Sequence, residues 1–436
     1  MRETPDERFI VTAYRTKMTA VTVMLLVSST AVTSVWAQST NDPGGVLLRL
    51  GLNLGLEAKS NSTLSTADPG STTEAFADLS LGLSSETRRQ KLSFGLAGRL
   101  RGVQAPDRLA LDQGFVNPSA DLNYRLSGAT SQLTLSTKVS ESDLSDQTLF
   151  LDDDGSFDIV TGDAVRRNST VKTRLEWNND ARVRYGAFGN YTDTRYSGGT
   201  ALGIDGDTLV DTQRLTLGVD ATLDLTTAAQ LETLLEYSVL SEDGASGDQQ
   251  TWTFDNTLTF NRPAGDIVFN FGVTDTEDGT RLSAAAGRSY LLPQVTLFGQ
   301  LGVSEQVSGG VTPTAAFFAV YPLPRGGLSF GLSRAVSSLN IQDEERVNTR
   351  VDISYKQALS PLSDVNVDLL WAKAKDTDSE EAFVDGSLSV TFNRTLTKDW
   401  DMNLGVRHRY SDKGLSGSAR SNELFINLNR SFLTRF

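Results

Sequence analysis

The sequence predicts an all-β fold, a transmembrane antiparallel up-and-down β-barrel of about 20 strands, with 18 as the smaller count. Three observations favour this fold. Apolar and polar residues alternate at period two in successive runs from residue 47 to residue 436. Short and long connections between these runs alternate along the chain, as in transmembrane barrels. Aromatic residues fall near the ends of the runs, on the apolar phase.

Composition excludes several functional classes. The chain has 436 residues, 54 acidic against 40 Lys and Arg, no Cys and one His. Without Cys there are no disulfides, thiolate metal sites or thiol nucleophiles, and a single His disfavours triads and multi-His metal centres. The net charge of −14 disfavours nucleic acid as a partner. We therefore expect no enzyme activity, no catalytic residue, no metal site and no cofactor.

The first residues resemble a secretory signal peptide. Arg15 and Lys17 precede a short apolar stretch, and Val35-Trp36-Ala37 supplies small residues before a cleavage point at Gln38. An uncleaved anchor helix is the alternative, but the stretch is short and rich in Ser and Thr. The predicted organisation is a signal peptide over 1–37, a short periplasmic segment over 38–46 and the transmembrane β-barrel over 47–436. With so short a segment ahead of the first strand, we expect no N-terminal plug.

The barrel strands follow from the alternation itself. The first run places Leu48, Leu50, Leu52, Leu54 and Leu56 on one face of a strand, because successive side chains point to opposite faces. The predicted strands begin near residues 47, 75, 91, 119, 131, 169, 181, 211, 228, 250, 265, 280, 293, 314, 326, 347, 363, 383, 399 and 421. The strands near 119, 280 and 314 carry the weakest pattern, so the loss of one pair would leave 18.

The connections distinguish a membrane barrel from a water-soluble sandwich, which would also alternate. Short turns are predicted at 85–90, 127–130, 179–180, 226–227, 262–264, 322–325, 358–362 and 395–398. Longer linkers, such as 58–74, 102–118, 141–168 and 194–210, lie between them. The linker 141–168 alone carries eight acidic residues against two Arg. An even strand number places both termini at the short-turn, periplasmic rim.

Aromatic residues predict two interfacial girdles. Those expected at the short-turn rim are Trp177, Phe260, Phe392 and Trp400. Those expected at the long-loop rim are Tyr191, Trp252, Trp371 and Tyr410. A buried Trp in a soluble core explains any one of them, but their joint placement favours a membrane barrel.

The last strand, Glu423 to Phe436, carries a family resemblance. Leu424, Ile426, Leu428, Phe432 and Phe436 share one phase, and the final residue is aromatic. This strand resembles the terminal strand of bacterial (Gram-negative) outer-membrane β-barrels, and the whole pattern is porin-like. Arg430 and Thr434 depart from the apolar phase. The resemblance implies location in the cell outer membrane, contact with lipid and lipopolysaccharide, and recognition by the barrel-assembly machinery through the strand ending at Phe436. Porins often form trimers, so a trimer is one possible oligomer, although the sequence shows no interface patch.

The polar phase of the strands predicts the lining of the lumen. The candidate pore-lining residues are Arg99, Arg101, Arg182, Arg184, Arg407, Arg409, Asp364 and Asp368. Opposite charges across a pore set up a field that orients polar solutes and tunes ion selectivity. The alternative is that these residues form cross-strand ion pairs that hold the wall together.

Two further features suggest other chemistry but are outweighed. The run Asp152 to Asp158 resembles a calcium loop only loosely, because it lacks the Glu that closes an EF-hand. His408 is the single His and lies on the apolar phase, where an interfacial role is expected rather than catalysis.

The sequence therefore favours a porin-like channel for passive diffusion of small polar solutes or ions. The alternatives are a non-conducting surface barrel whose acidic loops bind a partner or divalent ions, and a polysaccharide-export barrel.

Overall fold

The structure, a computed structural model, describes only part of the N-terminal region and of the loops. The described residues are 45–64, 66, 70–106, 113–144, 149–151, 157–159, 161–162, 164–202, 208–244, 247–277, 279–307, 309–338, 345–376, 382–412 and 417–436. The predicted signal peptide and most of the segment 38–46 lie outside this set. Within the described residues, no helix is long and apolar enough to cross a membrane.

One antiparallel sheet of twenty strands forms the molecule. The strands, numbered here in chain order, are β1 Val46–Lys59, β2 Thr72–Glu86, β3 Gln90–Gln104, β4 Gly114–Ser127, β5 Ser131–Asp143, β6 Val165–Trp177, β7 Val183–Ser197, β8 Thr212–Thr226, β9 Ala229–Glu242, β10 Gln249–Phe260, β11 Ile267–Thr276, β12 Gly279–Leu292, β13 Val295–Glu305, β14 Val311–Leu323, β15 Gly326–Ser338, β16 Glu345–Ser360, β17 Ser363–Asp376, β18 Ala382–Thr395, β19 Trp400–Asp412 and β20 Ser418–Arg435. Each strand pairs with its neighbours in sequence. All twenty predicted strands are therefore confirmed, including the three with weak patterns, and the smaller count of 18 is wrong.

The first and last strands close the sheet into a barrel. Their register runs from Leu47 opposite Arg435 to Lys59 opposite Glu423. Beyond it, the Phe436 amide donates to the Val46 carbonyl at 2.9 Å, and the Val46 amide donates to the Phe436 carbonyl at 3.1 Å. Closure pairs the backbone groups that an open edge would expose to lipid. The termini of the barrel meet at the short-turn rim, as predicted.

The two rims differ mainly over the first eight strands. There the long-loop connections span 60–71, 105–113, 144–164 and 198–211, whereas the short turns span 87–89, 128–130, 178–182 and 227–228. Past β9 the long-loop side shortens to connections such as 277–278 and 306–310. The predicted alternation of connection lengths thus holds strongly for one side of the barrel and weakly for the other.

Two of the long connections meet above the barrel. The backbone of Thr161–Gly162 pairs with Ala201–Leu202, and Leu149–Leu151 pairs with Phe157–Ile159. Leu144, Ala164 and Ala201 form a small buried apolar cluster there, against which Tyr196 and Leu209 pack. The described parts of these two connections therefore contact each other beyond the long-loop ends of β5 to β8.

The wall is irregular at one place between β3 and β4. The register shifts between Ala97 and Arg99, opposite Asn117 and Pro118. Asn117 has φ of 50°, and its Oδ1 accepts a hydrogen bond from the Asp143 amide at 3.0 Å. A bulge tolerates Pro in a sheet because the extra residue need not donate to the ladder.

The outer face of the wall is apolar. Leucine, valine and phenylalanine side chains of alternate positions are exposed on it, for example Leu217, Val219 and Phe269. Exposure of so many large apolar side chains is expected only where lipid, rather than water, surrounds the wall. The eight predicted girdle aromatics all lie on this outer phase, and three of them contact a neighbouring ring. Trp177 lies 5.8 Å from Tyr185, Trp252 lies 4.6 Å from Tyr237 and Phe260 lies 6.2 Å from Phe269, between ring centres.

Arg430 is a charged residue on the mostly apolar outer face of β20. Its guanidinium carbon lies 4.4 Å from the ring centre of Phe432 and 5.4 Å from that of Trp400. The cation is thus held against aromatic faces near the short-turn rim, where its polar end reaches the interface.

Candidate functional site: the lumen

The inner face of the barrel is the candidate site. Inner side chains are identified by contacts between two strands that have a third strand between them. Arg174 of β6 lies 2.9 Å from Asp220 of β8, and Gln300 of β13 lies 3.1 Å from Asn270 of β11. Only side chains that project inward from a curved wall meet in this way. The inner phase is mostly polar or small, and the outer phase is mostly apolar.

Exposure of the inner side chains changes along the barrel axis. Nearer the short-turn rim, charged inner residues are exposed to solvent, namely Arg49, Lys91, Asp121, Arg125 and Lys356. Nearer the long-loop rim, polar inner residues are buried, namely Thr72, Glu74, Arg101, Arg346, Arg350, Asp385, Ser411, Ser421 and Glu423. The inner face is therefore accessible to solvent beside these charged residues toward the short-turn rim and more tightly packed toward the long-loop rim. On β11 to β13 the inner residues Val268, Ser289 and Phe298 are buried near the short-turn rim as well.

A charged wall lies on β1 to β5. Its inner cations are Arg49, Lys59, Lys91, Arg99, Arg101, Arg125 and Lys138, and its carboxylates are Glu57, Glu74, Asp78, Glu86 and Asp121, with Asp143 reaching Arg101. Seven cations thus face six carboxylates on this quarter of the barrel. Apart from Asp143, charged residues of one strand share the inner face because they are an even number of residues apart.

Arg99 is the centre of the network on this wall. Its Nε donates to Asp78 Oδ1 at 2.6 Å, and its Nη1 donates to Glu74 Oε1 at 3.2 Å. The guanidinium carbon lies 3.8 Å from the ring centre of Phe76, which also projects inward. Asn53 completes the site by donating to Asp78 Oδ2 at 2.8 Å. Charge-assisted bonds and the ring fix this arginine, so it acts as part of the wall.

Arg101 lies two residues beyond Arg99 on β3, toward the long-loop rim, and is buried. Its Nη2 lies 2.6 Å from Asp143 Oδ2, with side-chain exposures of 1% and 8%. Nearby, Lys59 Nζ lies 3.1 Å from Glu57 Oε2 and 3.7 Å from Glu74 Oε2. Buried charges persist only when paired, and these pairs meet that condition.

The closing strands carry a second charged group. Glu423 of β20 has 2% side-chain exposure and forms ion pairs with two arginines of β19. Arg407 lies at 3.1 Å and Arg409 at 3.6 Å. The Arg407 side chain is 43% exposed, whereas that of Arg409 is 11% exposed. Arg407 is therefore the one of the two that reaches water in the lumen.

The remaining predicted lining residues lie near the short-turn rim. Arg184 makes a two-pronged bond to Asp224, at 2.8 and 2.9 Å. Arg182 lies in the preceding turn, where it donates to the carbonyls of Asp224 and Leu225 at 3.1 Å. It is exposed at the rim and does not line the lumen wall.

The two predicted carboxylates lie on the same face of β17, four residues apart. Asp364 accepts from Asn393 Nδ2 at 2.7 Å and lies 3.7 Å from Lys356 Nζ. Asp368 accepts from Ser354 Oγ at 2.6 Å. Of the eight predicted residues, six thus take part in ion pairs, and the cross-strand alternative describes them better than a free charged lining does.

Sequence reasoning missed several of the partners. It did not single out Glu57, Glu74, Asp143 or Glu423, because each lies at the end of a strand, where the period-two pattern fades. The inward phenylalanines Phe76 and Phe425 were missed too, because an aromatic residue in a barrel strand is normally assigned to the outer face. A glycine on the neighbouring strand could have indicated them. An added Cβ at Gly55 would collide with the ring of Phe76, and one at Gly405 would collide with the ring of Phe425. Inward rings lying over glycines thicken the wall where it has no side chain of its own.

The acidic run 152–158 and His408, which the sequence offered as possible sites of other chemistry, add no site within the described residues. No group of three or more His, Cys, Asp and Glu is placed to hold a metal ion among them. Most of the acidic run 152–158 lies outside the described residues. His408 is exposed on the outer face, where its Nδ1 lies 2.8 Å from Asn422 Oδ1.

No family model and no curated protein matches the sequence. Solved structures do match its fold. A mutant of the ferric enterobactin receptor PfeA from Pseudomonas aeruginosa is 10% identical, with 90% of this chain and 81% of that chain covered and a TM-score of 0.52. The ferric-catecholate import receptor Fiu from E. coli is 9% identical, with 91% and 82% covered and a TM-score of 0.51. The likeness confirms the outer-membrane β-barrel fold predicted from the sequence, and the apolar outer face of that barrel fits a wall surrounded by lipid.

Proposed function

We propose that the barrel is a channel for passive diffusion of small polar solutes or ions across the outer membrane. The observation that carries this proposal is the exposed, charged inner face near the short-turn rim. Water fills such a space, because a barrel of this strand number has room for it and the wall offers donors and acceptors. No covalent chemistry is involved.

Selectivity in this proposal comes from two features of the wall. The buried polar layer toward the long-loop rim sets the narrow part of the path. The charges there are paired, so their fields act over a few ångströms and steer solutes locally rather than repelling one sign outright. Partly exposed charges such as Arg407 act most strongly on a passing ion.

The same buried layer favours a second candidate, a surface barrel that binds a partner or solute and does not conduct. Ser411, Ser421 and Ala374 lie on the inner face near the long-loop rim with at most 1% exposure. The paired segments Thr161–Gly162 and Ala201–Leu202, beyond β5 to β8, add a surface on that side. The structural neighbours named above are receptors, which agrees with this candidate as well as with transport. Polysaccharide export remains a prediction without a particular structural feature in its favour.

Conductance separates the two candidates. Refolded full-length barrel is inserted into a planar bilayer in KCl, and folding is checked by its heat-modifiable migration in gels. We expect stable openings from single barrels. A correctly folded barrel that stays silent would contradict the channel and favour the surface barrel.

A further inference from the structure

One quarter of the inner wall is almost uncharged. Among the described side chains of β11 to β15, Arg281 is the one charged residue on the inner phase. Arg281 lies at the long-loop end and is paired with Glu345 at 3.4 Å. Other charges of these strands, such as Arg288 and Arg334, lie on the outer phase. The inner positions hold small, hydroxyl, amide or apolar side chains instead.

Apolar groups are part of this uncharged wall. Ala285 of β12 and Ala316 and Phe318 of β14 lie on the inner phase and are half-buried. Inner glycines such as Gly302 and Gly327 keep the wall shallow between them. At the edges of this wall, the carboxylates of Asp255 and Asp352 lie against Gly272 and Gly331. Between these edges, on β12 to β14, the wall offers contact to a flat apolar group without requiring that a charge be desolvated.

The charged wall lies directly across the lumen. In a closed ring of twenty strands, those ten apart in order face each other, so β1 to β5 face β11 to β15. The charged wall has seven cations against six carboxylates, an excess of one positive charge. The lumen thus has one net positive side and one uncharged, partly apolar side.

We propose that the channel prefers small organic anions that carry an apolar ring. The inference builds on the proposed function and names its substrate class. The anionic group is drawn to the net positive wall, and the ring passes along the uncharged wall, where it displaces water that no charge holds. A polar solute of equal charge gains the first contact but not the second.

The test compares two permanently charged anions that differ in the ring. Benzenesulfonate and the smaller, hydroxylated isethionate are placed as potassium salts on opposite sides of a bilayer that contains the full-length barrel, and the reversal potential gives their permeability ratio. Size exclusion alone favours isethionate. A lumen with one charged wall and one uncharged wall predicts that benzenesulfonate passes at least as readily as isethionate. A lower permeability of benzenesulfonate than of isethionate would overturn the proposal.

Substitutions test whether the preference for benzenesulfonate over isethionate arises at the uncharged wall. Ala316→Asp adds a charge there, and Ala316→Asn adds nearly the same volume without charge. We expect Ala316→Asp to lower the benzenesulfonate ratio by about threefold or more and Ala316→Asn to lower it less, because the ring must then pass a hydrated carboxylate. Ser93→Asp on β3 adds the same charge to the charged wall and serves as the matched control.

The outcomes separate this inference from the channel itself. If Ala316→Asp and Ser93→Asp lower the ratio equally, the effect is one of net charge and the uncharged wall has no role. A barrel that conducts KCl but favours isethionate contradicts only the substrate class. A folded barrel silent in KCl contradicts the channel and, with it, the substrate class.

Discussion

Arg99 on β3 and Asp78 on β2 form an ion pair of 2.6 Å inside the lumen, and the same guanidinium reaches Glu74 at 3.2 Å. The pair joins neighbouring strands on the inner face, and Phe76 covers it from the side. An arginine held in this way stabilises the wall rather than waiting for a solute. This relationship leads to the first prediction.

Replacing Arg99 by Met should destabilise the barrel. The substitution removes from Asp78 and Glu74 the cation that joins them; Glu74, with 6% side-chain exposure, keeps Lys59 at 3.7 Å. Loss of one partner of a buried hydrogen bond costs about 1–3 kcal/mol of the free energy of unfolding. Urea titration of the refolded barrel in lipid vesicles measures this. Lys91→Met is the control, because the Lys91–Glu86 pair is more than half exposed on both sides and should matter by about 0.5 kcal/mol or less. Equal effects of the two substitutions would show that Arg99 is not a wall residue.

Gly405 should not tolerate a larger side chain. An added Cβ would collide with the ring of Phe425 on β20 and with the carbonyl of Val390 on β18. We expect Gly405→Val to lower the unfolding free energy by about 1–3 kcal/mol through overpacking. Gly247→Ala, where open space surrounds the position, is the control.

Phe425 provides the second half of that test. If its ring is the obstacle, Gly405→Ala should cost less when combined with Phe425→Leu than the sum of the single changes. Strict additivity, measured in the same urea titrations, would contradict the packing of the ring over the glycine.

Arg407 and Arg409 should differ in what they control, although both bind Glu423. Arg407 is 43% exposed at the side chain and Arg409 is 11% exposed. We therefore expect Arg407→Gln to shift ion selectivity toward potassium, since it removes a cation that faces the water path. Arg409→Gln should change selectivity less and stability more.

Reversal potentials in a KCl gradient and urea titrations measure the two effects separately. A larger selectivity shift in Arg409→Gln than in Arg407→Gln would show that the narrow part of the path runs past Arg409 instead.

Deleting Phe436 should slow assembly more than it weakens the finished barrel. Its side chain is 75% exposed, and its backbone adds one pair of hydrogen bonds to Val46. The resemblance of the terminal strand to those of bacterial outer-membrane barrels implies recognition by the assembly machinery. We expect less heat-modifiable barrel in membranes of expressing cells, and nearly unchanged unfolding of the purified protein. Equal assembly of the deleted and full chains would contradict a recognition role.

The strands were predictable because lipid imposes a simple rule on them. Runs such as Leu215, Leu217 and Val219 alternate strictly, since every second side chain faces hydrocarbon. The bulge at Asn117 and Pro118 was not predictable, because it depends on where two neighbouring strands stop matching. The loop lengths were predicted well over the first eight strands and less well afterwards.

The lumen was only partly predictable. Sequence placed Arg99 and Arg184 on the inner phase, but not the ion pairs that they form, since pairing depends on the offset between strands. Contacts across a skipped strand, such as Arg174 with Asp220, depend also on curvature. The uncharged wall of β11 to β15 was visible in principle as strands without inner charges, but its place opposite β1 to β5 required the closed ring.

Single-barrel conductance in a planar bilayer, with the reversal potential in a KCl gradient, tests the central claim most directly. The exposed charged inner face predicts steady openings, with a selectivity that Arg407→Gln moves toward potassium. A barrel that is correctly folded by its heat-modifiable migration, yet never opens, would contradict the channel and leave a surface-binding role.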